Sequence, residues 1–142
     1  MDIPEVFGRM PFNEHLGIEL LEAENGRAVG ELELSEIHSS SPDRLVAHGG
    51  VAYALADTVA GAAVVSMHLD VTPTIDVRID YLSPATGGTL HAVADVVCDG
   101  GSVAAVEVTV SDEEETAVAS ARGTYKTSDG GNGSAWRGDE TD

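Results

Sequence analysis

Asp57 is the only formally charged side chain between Gly49 and Leu69, in a chain that is otherwise rich in acids. An ionised carboxylate in an apolar segment is costly unless it has partners. Such carboxylates concentrate at functional sites, where they act as nucleophiles or general bases. The competing interpretation is structural, with Asp57 only hydrogen-bonding a nearby hydroxyl or a second copy of the chain. The isolation of this acid favours the functional interpretation.

The sequence His48-Gly49-Gly50 stands at the start of the same apolar segment. The first N–H groups of a helix lack partners and carry partial positive charge, and glycine lets a ligand approach the backbone closely. A carbonyl oxygen held there would be polarised, as in an oxyanion hole. Asp57 lies about 10 Å further along the helix axis, too far for both to act on one carbonyl within one chain. A two-fold dimer would close that gap with Asp57 of the second chain.

One long helix, predicted at His48–Met67, contains all of these residues. Apolar side chains recur in it at helical spacing, and most other positions are alanine or glycine. A helix that is apolar all round is a buried helix. The sequence therefore predicts that the rest of the chain covers it.

Strands are predicted on both sides of this helix. Asn25-Gly26 is a strong hairpin signal and joins Gly17–Ala23 to Arg27–Glu36. Alternating side chains predict four further strands in a meander: Thr74–Leu82, Thr89–Val97, Ser102–Val110 and Thr116–Lys126. One curled antiparallel sheet wrapped around one central helix fits this order best, which is an α+β fold of the hotdog type.

This domain is predicted to span residues 1–127. Its first residues indicate a short helix at Ile3–Arg9, a turn at Pro11 and an irregular segment to Leu16. Residues 128–142 are rich in Gly, Asp and Ser without an apolar period. They are predicted to be a disordered acidic tail.

The net charge limits the partners of the protein. The 142 residues include 25 Asp and Glu against 7 Lys and Arg, which gives a formal net charge of -18. Nucleic acids and anionic membranes are bound through basic patches, so neither is expected as a partner. An acidic, lysine-poor surface suits a cytosol of very high salt, where self-repulsion is screened, and this predicts a halophilic source. No signal peptide or uncharged membrane span is visible, so a cytoplasmic location is expected.

Cysteine and histidine give no basis for a metal site. Cys98 lies in an apolar alternating stretch and is predicted to be a buried small hydrophobe. The histidines show no paired ligand spacing, and those other than His48 are interpreted as surface or loop residues. The five are His15, His38, His48, His68 and His91.

Residues 48–64, HGGVAYALADTVAGAAV, resemble the HGG-to-Asp signature of PaaI-type hotdog thioesterases, within the 4-hydroxybenzoyl-CoA thioesterase superfamily. Residues 11–34, PFNEHLGIELLEAENGRAVGELEL, and 77–85, VRIDYLSPA, extend the resemblance. It implies hydrolysis of acyl-CoA thioesters without a metal or cofactor, since coenzyme A is part of the substrate. It also implies a homodimer with active sites at the interface, usually paired into a homotetramer.

The resemblance implies a role for each matching residue. Asp57 would be the nucleophile or general base, and Gly49, together with Gly50, would supply the N–H groups that polarise the thioester carbonyl. His48 would orient the loop rather than act as the base. Thr74 matches a hydroxyl position that in some relatives helps to hold the hydrolytic water.

Substrate recognition departs from the family in one place and stays open in others. Pro42 stands where many relatives have Asn or Gln near the carbonyl, so Ser41 or Asp43 would have to substitute, or the contact is absent. Candidates to hold the nucleotide end, or else ordinary surface arginines, are Arg44, Arg78 and Arg122. Candidates to line a pocket for an aryl or short-to-medium acyl group are Ala52, Ala56, Ala60 and Val64.

Other functions of a hotdog domain compete with hydrolysis. The strongest alternative is a non-catalytic module that binds acyl-CoA as a ligand or sensor. A hydratase or dehydratase would need an Asp/His pair placed for water addition, which residues 48–64 do not supply. A purely structural dimerisation domain would leave Asp57 unexplained.

Overall fold

The computed structural model describes residues 1–127, and the predicted tail, 128–142, lies outside the described residues. Two short helices come first, α1 at Ile3–Gly8 and α2 at Pro11–Leu16. The prediction of a turn and an irregular segment where α2 lies is wrong. Proline has no N–H to donate, but the first residue of a helix needs none, so Pro11 begins α2 rather than breaking it.

Six strands form one antiparallel sheet. They are β1 Ile18–Glu24, β2 Arg27–Glu33, β3 Thr74–Tyr81, β4 Thr89–Asp99, β5 Val103–Ser111 and β6 Ala117–Lys126. In space the order is β1-β2-β4-β5-β6-β3. The predicted hairpin is confirmed, since Asn25 and Gly26 both have positive φ at the β1–β2 turn, as a type I′ turn requires.

β3 is an edge strand that pairs with β6 and not with β4, so the predicted simple meander is wrong. Thr74 of β3 lies opposite Tyr125 of β6. β4 pairs instead with β2, where Val93 lies opposite Val29. Alternation of side chains predicts a strand but does not say which strand lies beside it.

The long helix α3, Gly49–His68, packs against the inner face of this sheet, which confirms the predicted architecture. Leu55 and Val59 are wholly buried in the interface. Gly30 of β2 faces the helix, and a Cβ there would lie 2.6 Å from Cγ1 of Val59. The missing side chain at residue 30 therefore lets α3 approach the sheet closely.

One side of α3 is not covered by the sheet, although the sequence predicts burial all round. Tyr53 and Met67 are exposed, and Asp57 and Gly61 are half-buried. By length and composition α3 is apolar enough to cross a membrane, and 56% of its most apolar window is buried inside the protein. The single charge of Asp57 therefore does not exclude a span by itself, and packing against the sheet accounts for the apolar composition.

Cys98 and His38 lie in surroundings opposite to those predicted. Cys98 is exposed, because the β4–β5 register shifts between Val96 and Cys98 and breaks the inward–outward alternation. His38 is buried in a short 3-10 helix. Its Nδ1 accepts the Ser35 N–H at 2.9 Å, and its Nε2 lies 2.7 Å from the Leu16 carbonyl oxygen. With both ring nitrogens satisfied, a histidine can be buried.

Candidate active site

Asp57 and the start of α3 border two separate cavities of the chain. One, of about 380 Å³, is lined by His48, Gly49 and Tyr81 among others. The other, of about 480 Å³, is lined by Asp57 and Tyr125 among others. Gly49 and Asp57 are about 12 Å apart along the helix axis. A single chain therefore does not bring the predicted carbonyl-binding amide and the predicted nucleophile into one site.

The two glycines at the helix start differ in what their N–H groups do. The side chain of His48 caps α3, because its Nδ1 accepts the Gly50 N–H at 2.8 Å. The Gly49 N–H has no acceptor within residues 1–127, and it stands at the positive end of the helix dipole. Of the two predicted donors, Gly49 is therefore the one available to a carbonyl oxygen.

Tyr81 covers this helix start from the end of β3. Its hydroxyl donates to the Gly49 carbonyl oxygen at 2.7 Å. A Cβ on Gly49 would lie 3.1 Å from the Tyr81 ring, so the close contact favours glycine there. Burial and the neighbouring Tyr53 raise the pKa of Tyr81, and the hydroxyl remains a donor near neutral pH. The contact fixes the first peptide of α3.

The Asp57 carboxylate is half-buried and is held by two hydroxyl groups. Thr74 Oγ1 donates to Asp57 Oδ1 at 2.9 Å, and Tyr125 Oη donates to the same oxygen at 2.7 Å. Oδ2 accepts no hydrogen bond from the residues that the structure describes. A carboxylate with one oxygen anchored and the other free can attack a carbonyl carbon or take a proton from water.

Tyr125 is a candidate site residue that the sequence did not predict. It is 1% exposed, and burial, reinforced by the charge of Asp57, raises its pKa far above the ordinary value. The β3–β6 register places it opposite Thr74, which brings both hydroxyls to Asp57. Tyr125 and Asp57 are 68 residues apart, so no local pattern joins them. The available signal was a tyrosine at an inward position of β6, because a buried hydroxyl usually has a partner.

Asn13 forms a second polar contact beside Asp57 that the sequence did not predict. It is 3% exposed. Its Oδ1 accepts the Thr58 hydroxyl at 3.2 Å, and its Nδ2 donates to the Phe7 carbonyl oxygen at 3.1 Å. These bonds satisfy the buried amide and tie the two N-terminal helices to α3.

The three arginines predicted to hold a nucleotide line neither of these two cavities. Arg78 and Arg122 lie opposite each other on β3 and β6, where they pair with Asp80 at 3.4 Å and Glu107 at 3.0 Å. Both pairs are largely exposed, and such pairs contribute little stability. Arg44 is exposed in the loop before α3 and forms no ion pair within residues 1–127.

The loop before α3 is organised by Ser39 and not by Pro42, the residue that stands where many relatives have Asn or Gln. Ser39 Oγ accepts the Ser41 N–H at 3.1 Å. Ser41 Oγ lies 3.4 Å from the Asp43 N, and Pro42 and Asp43 are exposed. None of these residues lines the cavity at the helix start. Within a single chain, neither Ser41 nor Asp43 therefore substitutes for the Asn or Gln of relatives.

The small helix residues predicted to line an acyl pocket lie mostly in the core. Ala56, Ala60 and Val64 are at most 1% exposed, because side chains four apart share one face and this face meets the sheet. Ala52 alone of the four borders one of the two cavities, the one at the helix start. Apart from Asp57 itself, the residues of α3 that line the larger of these two cavities are Thr58, Gly61 and Val65.

His68 and His91 lie beside acids and not beside each other. His68 Nε2 is 2.8 Å from Asp99 Oδ2, and His91 Nδ1 is 3.5 Å from Glu31 Oε2. The Gly101 N–H, together with His68, lowers the pKa of Asp99. Within residues 1–127, no group of three or more His, Cys, Asp or Glu side chains is arranged to hold a metal ion.

Comparison with known proteins relates this geometry to a family. Residues 46–119 match the model described as Thioesterase superfamily. Over 131 residues the chain is 30% identical to the medium/long-chain acyl-CoA thioesterase YigI of Salmonella typhimurium, and the alignment covers 82% of this chain and 84% of that protein. Over 109 residues it is 30% identical to a 1,4-dihydroxy-2-naphthoyl-CoA hydrolase of Listeria monocytogenes, which covers 75% and 86%.

A solved structure shows the same architecture. A mutant of the phenylacetic acid degradation protein PaaI from Thermus thermophilus superposes with a TM-score of 0.75 and 31% identity, covering 82% of this chain and 98% of that one. The residues that match the family model include Gly49, Asp57 and Thr74 but end before Tyr125. Because the match spans more than half of the chain, the protein belongs to the thioesterase superfamily of hotdog-fold proteins.

Proposed function

We propose that the protein hydrolyses acyl-coenzyme A thioesters to the free acid and coenzyme A. The observation that carries this proposal is the Asp57 carboxylate beside a cavity of about 480 Å³. Two hydroxyls anchor one of its oxygens, and the other accepts no hydrogen bond from residues 1–127. Cavities of this size accommodate small-molecule ligands. The name of a relative, medium/long-chain acyl-CoA thioesterase, supports coenzyme A as the carrier.

Asp57 acts on the carbonyl carbon of the thioester. Either its free oxygen attacks that carbon and forms a mixed anhydride, which water then cleaves, or it takes a proton from the water that attacks. In both routes the carbon–sulfur bond breaks and coenzyme A leaves as the thiolate. The proton released from water then neutralises the thiolate, and Asp57 returns to its ionised form.

The carbonyl oxygen is held by the Gly49 N–H of a second chain. Within one chain Gly49 and Asp57 border separate cavities, so a site that uses both requires two copies. In a two-fold homodimer each interface site combines Asp57 of one chain with Gly49 of the other. The N–H at the positive end of α3 then stabilises the negative charge that develops on the oxygen. Two such dimers would form the expected homotetramer.

The acyl group occupies the cavity beside Asp57. Asn13 also borders this cavity, but its amide is already bonded to Thr58 and Phe7. An apolar wall favours an apolar aliphatic or aryl acyl group, because a polar group buried there would lack partners. The side chains that the two N-terminal helices and the link between them contribute to this wall include Val6, Phe7, Met10 and Phe12.

The nucleotide end of coenzyme A meets a protein of the same sign of charge. At a formal net charge of -18 the protein repels the phosphates, and high salt screens that repulsion. Arg44 is the best placed of the three arginines to bind a phosphate. It lies in the loop that leads to the α3 start and forms no ion pair within the described chain.

The test is the variant Asp57→Asn, which keeps the size of the side chain and removes its charge. Thiol release from a panel of aliphatic and aryl acyl-CoA substrates, measured at high salt, should fall roughly 100- to 10,000-fold in kcat. Thermal unfolding of the variant should stay close to that of the unchanged protein, because the amide can still accept both hydroxyl hydrogen bonds.

Asp95→Asn is the matched control. Asp95 is exposed and paired with Arg27 at 3.1 Å on the sheet surface, so the same chemical change there should leave kcat unaltered. If Asp57→Asn hydrolyses and binds acyl-CoA like the unchanged protein, Asp57 has no catalytic role. If the unchanged protein binds acyl-CoA but hydrolyses none of the panel, the non-catalytic binding module is the better description.

A further inference from the structure

Tyr125 supplies the Asp57 carboxylate with a donor from inside the protein. The hydroxyl lies 2.7 Å from Asp57 Oδ1, slightly closer than the Thr74 hydroxyl at 2.9 Å. Thr74 is exposed, whereas Tyr125 is 1% exposed. Water can therefore compete with the threonine for the carboxylate but not easily with the tyrosine. The two donors on Oδ1 are unequal, and the buried one is the more permanent.

A glycine two residues before Tyr125 makes room for the tyrosine ring. Residues two apart in a strand point to the same face, and a Cβ at Gly123 would lie 2.5 Å from Tyr125 Cε1 and 3.1 Å from its hydroxyl oxygen. A Cβ at Gly61 of α3 would lie 3.7 Å from Cε2 on the other edge of the ring. The ring therefore occupies a slot between β6 and α3, and the slot depends on Gly123.

We propose that Tyr125 is a positioning residue of the hydrolytic site, which acts through Asp57 by holding Oδ1 so that Oδ2 is the oxygen that reacts. The proposal rests on the proposed function and deepens it. Residue 125 lies beyond the residues that match the family model, so the role follows from the geometry of this chain.

The hydroxyl has two effects on the carboxylate. It restricts the rotation of the Asp57 side chain, and its hydrogen bond stabilises the ionised form. Burial keeps the tyrosine protonated throughout the working pH range, because its pKa is raised. Its hydroxyl is thus always a donor. Removing it leaves Asp57 with Thr74 as its one side-chain donor among the described residues, and that bond is open to water.

The test is Tyr125→Phe, which keeps the ring and removes the donor. We expect kcat to fall about ten- to hundredfold, as for loss of a hydrogen bond to a charged group, while KM changes less than about twofold. Tyr53→Phe is the matched control and should change neither quantity, since the Tyr53 hydroxyl donates to the Val77 carbonyl oxygen at 3.4 Å and not to Asp57.

Gly123→Ala is the second variant, because the added methyl group displaces the ring while the tyrosine remains. It should lower kcat in the same way, again with little change in KM. If Asp57→Asn abolishes hydrolysis but Tyr125→Phe leaves kcat unchanged, the positioning role is wrong and the proposed function stands. If Tyr125→Phe loses thermal stability in proportion to activity, the hydroxyl serves the fold and the positioning role is again wrong. If Asp57→Asn keeps full activity, both proposals fail.

Discussion

Gly49 and Gly50 are neighbours with identical side chains and different hydrogen bonds. His48 uses the Gly50 N–H for capping, which leaves the Gly49 N–H at the helix start without an acceptor in the described chain. Tyr81 holds the same peptide unit through the Gly49 carbonyl. The capping bond and the tyrosine contact together fix the orientation of the Gly49 N–H. The proposed function needs one such amide per site.

Gly49→Pro removes this N–H with little cost to the helix. Proline is well tolerated at the first helical position, and His48, with φ -63° and ψ 141°, already has the extended conformation that precedes proline. We expect kcat/KM for acyl-CoA to fall about 100- to 1,000-fold, as for loss of an oxyanion-hole donor.

Gly49→Ala is the control for this change, because it adds the same Cβ contact with Tyr81 and keeps the N–H. It should lose much less activity than Gly49→Pro. Equal losses in the two variants would mean that crowding against Tyr81, and not the amide, determines the rate.

Residues with a local signature could be predicted from the sequence, and residues joined by the fold could not. Asp57 is a candidate because it interrupts an uncharged helix, and Gly49 because it stands at the start of that helix; their catalytic roles stay predictions. Tyr125 and Asn13 reach the site from distant elements, 68 residues after Asp57 and 45 residues before Thr58. Their roles depend on strand order and helix packing, which side-chain alternation does not record.

The close approach of α3 to the sheet depends on the absence of a side chain at Gly30. A Cβ on Gly30 would meet Val59 Cγ1 at 2.6 Å and the Glu19 carbonyl oxygen at 3.1 Å. Neither neighbour can retreat easily, because Val59 is wholly buried and the other atom belongs to the backbone. The packing distance between helix and sheet is therefore set at this point.

Gly30→Ala should destabilise the protein by about 1–3 kcal/mol through overpacking. The measurement is urea or thermal unfolding, in which the midpoint should fall. Gly87→Ala is the matched control, since a Cβ at Gly87 meets nothing within 4 Å, and its midpoint should stay nearly constant. A Gly30→Ala midpoint equal to that of the control would show that the helix can shift away freely.

The order of the elements was only partly predictable. The Asn25-Gly26 turn and the long helix have strong local signals, and both were found. The helix α2 was missed because Pro11 was interpreted as a turn residue, although proline also begins helices. The prediction that Cys98 is buried is wrong, because the register shifts near the end of β4 and breaks the alternation. A sequence pattern does not show such a shift.

The proposed site takes residues from two chains, which complementation between two inactive variants can test. Asp57→Asn should inactivate a site by removing the carboxylate, and Gly49→Pro by removing the N–H that holds the carbonyl oxygen. In a mixed dimer of the two variants, one interface site would combine both changes and the other would combine an intact Asp57 with an intact Gly49. Two inactive proteins would then make an active one.

Equal amounts of Asp57→Asn and Gly49→Pro are mixed, dissociated and reassembled. The mixture should recover about a quarter of the activity of the unchanged protein. Half of the dimers are then mixed, and one of their two sites is intact. The experiment is best made at high salt, which screens repulsion between chains that each carry a net charge of -18. No recovery, with subunit exchange verified by mass-tagged chains, would place the whole site within one chain.

The pairing of β3 with β6 also determines when in folding the site is completed. Residues 82–116 separate the two strands along the chain, and such distant pairs form more slowly than local hairpins. Thr74 and Tyr125 lie opposite each other in this ladder, so Asp57 gains both hydroxyl partners in one late step. A nascent chain that ends before β6 could already contain α3 with its carboxylate and helix-start amide. It would have neither the β3–β6 ladder nor an oriented Asp57, and hydrolysis at the proposed site would therefore report completion of the fold.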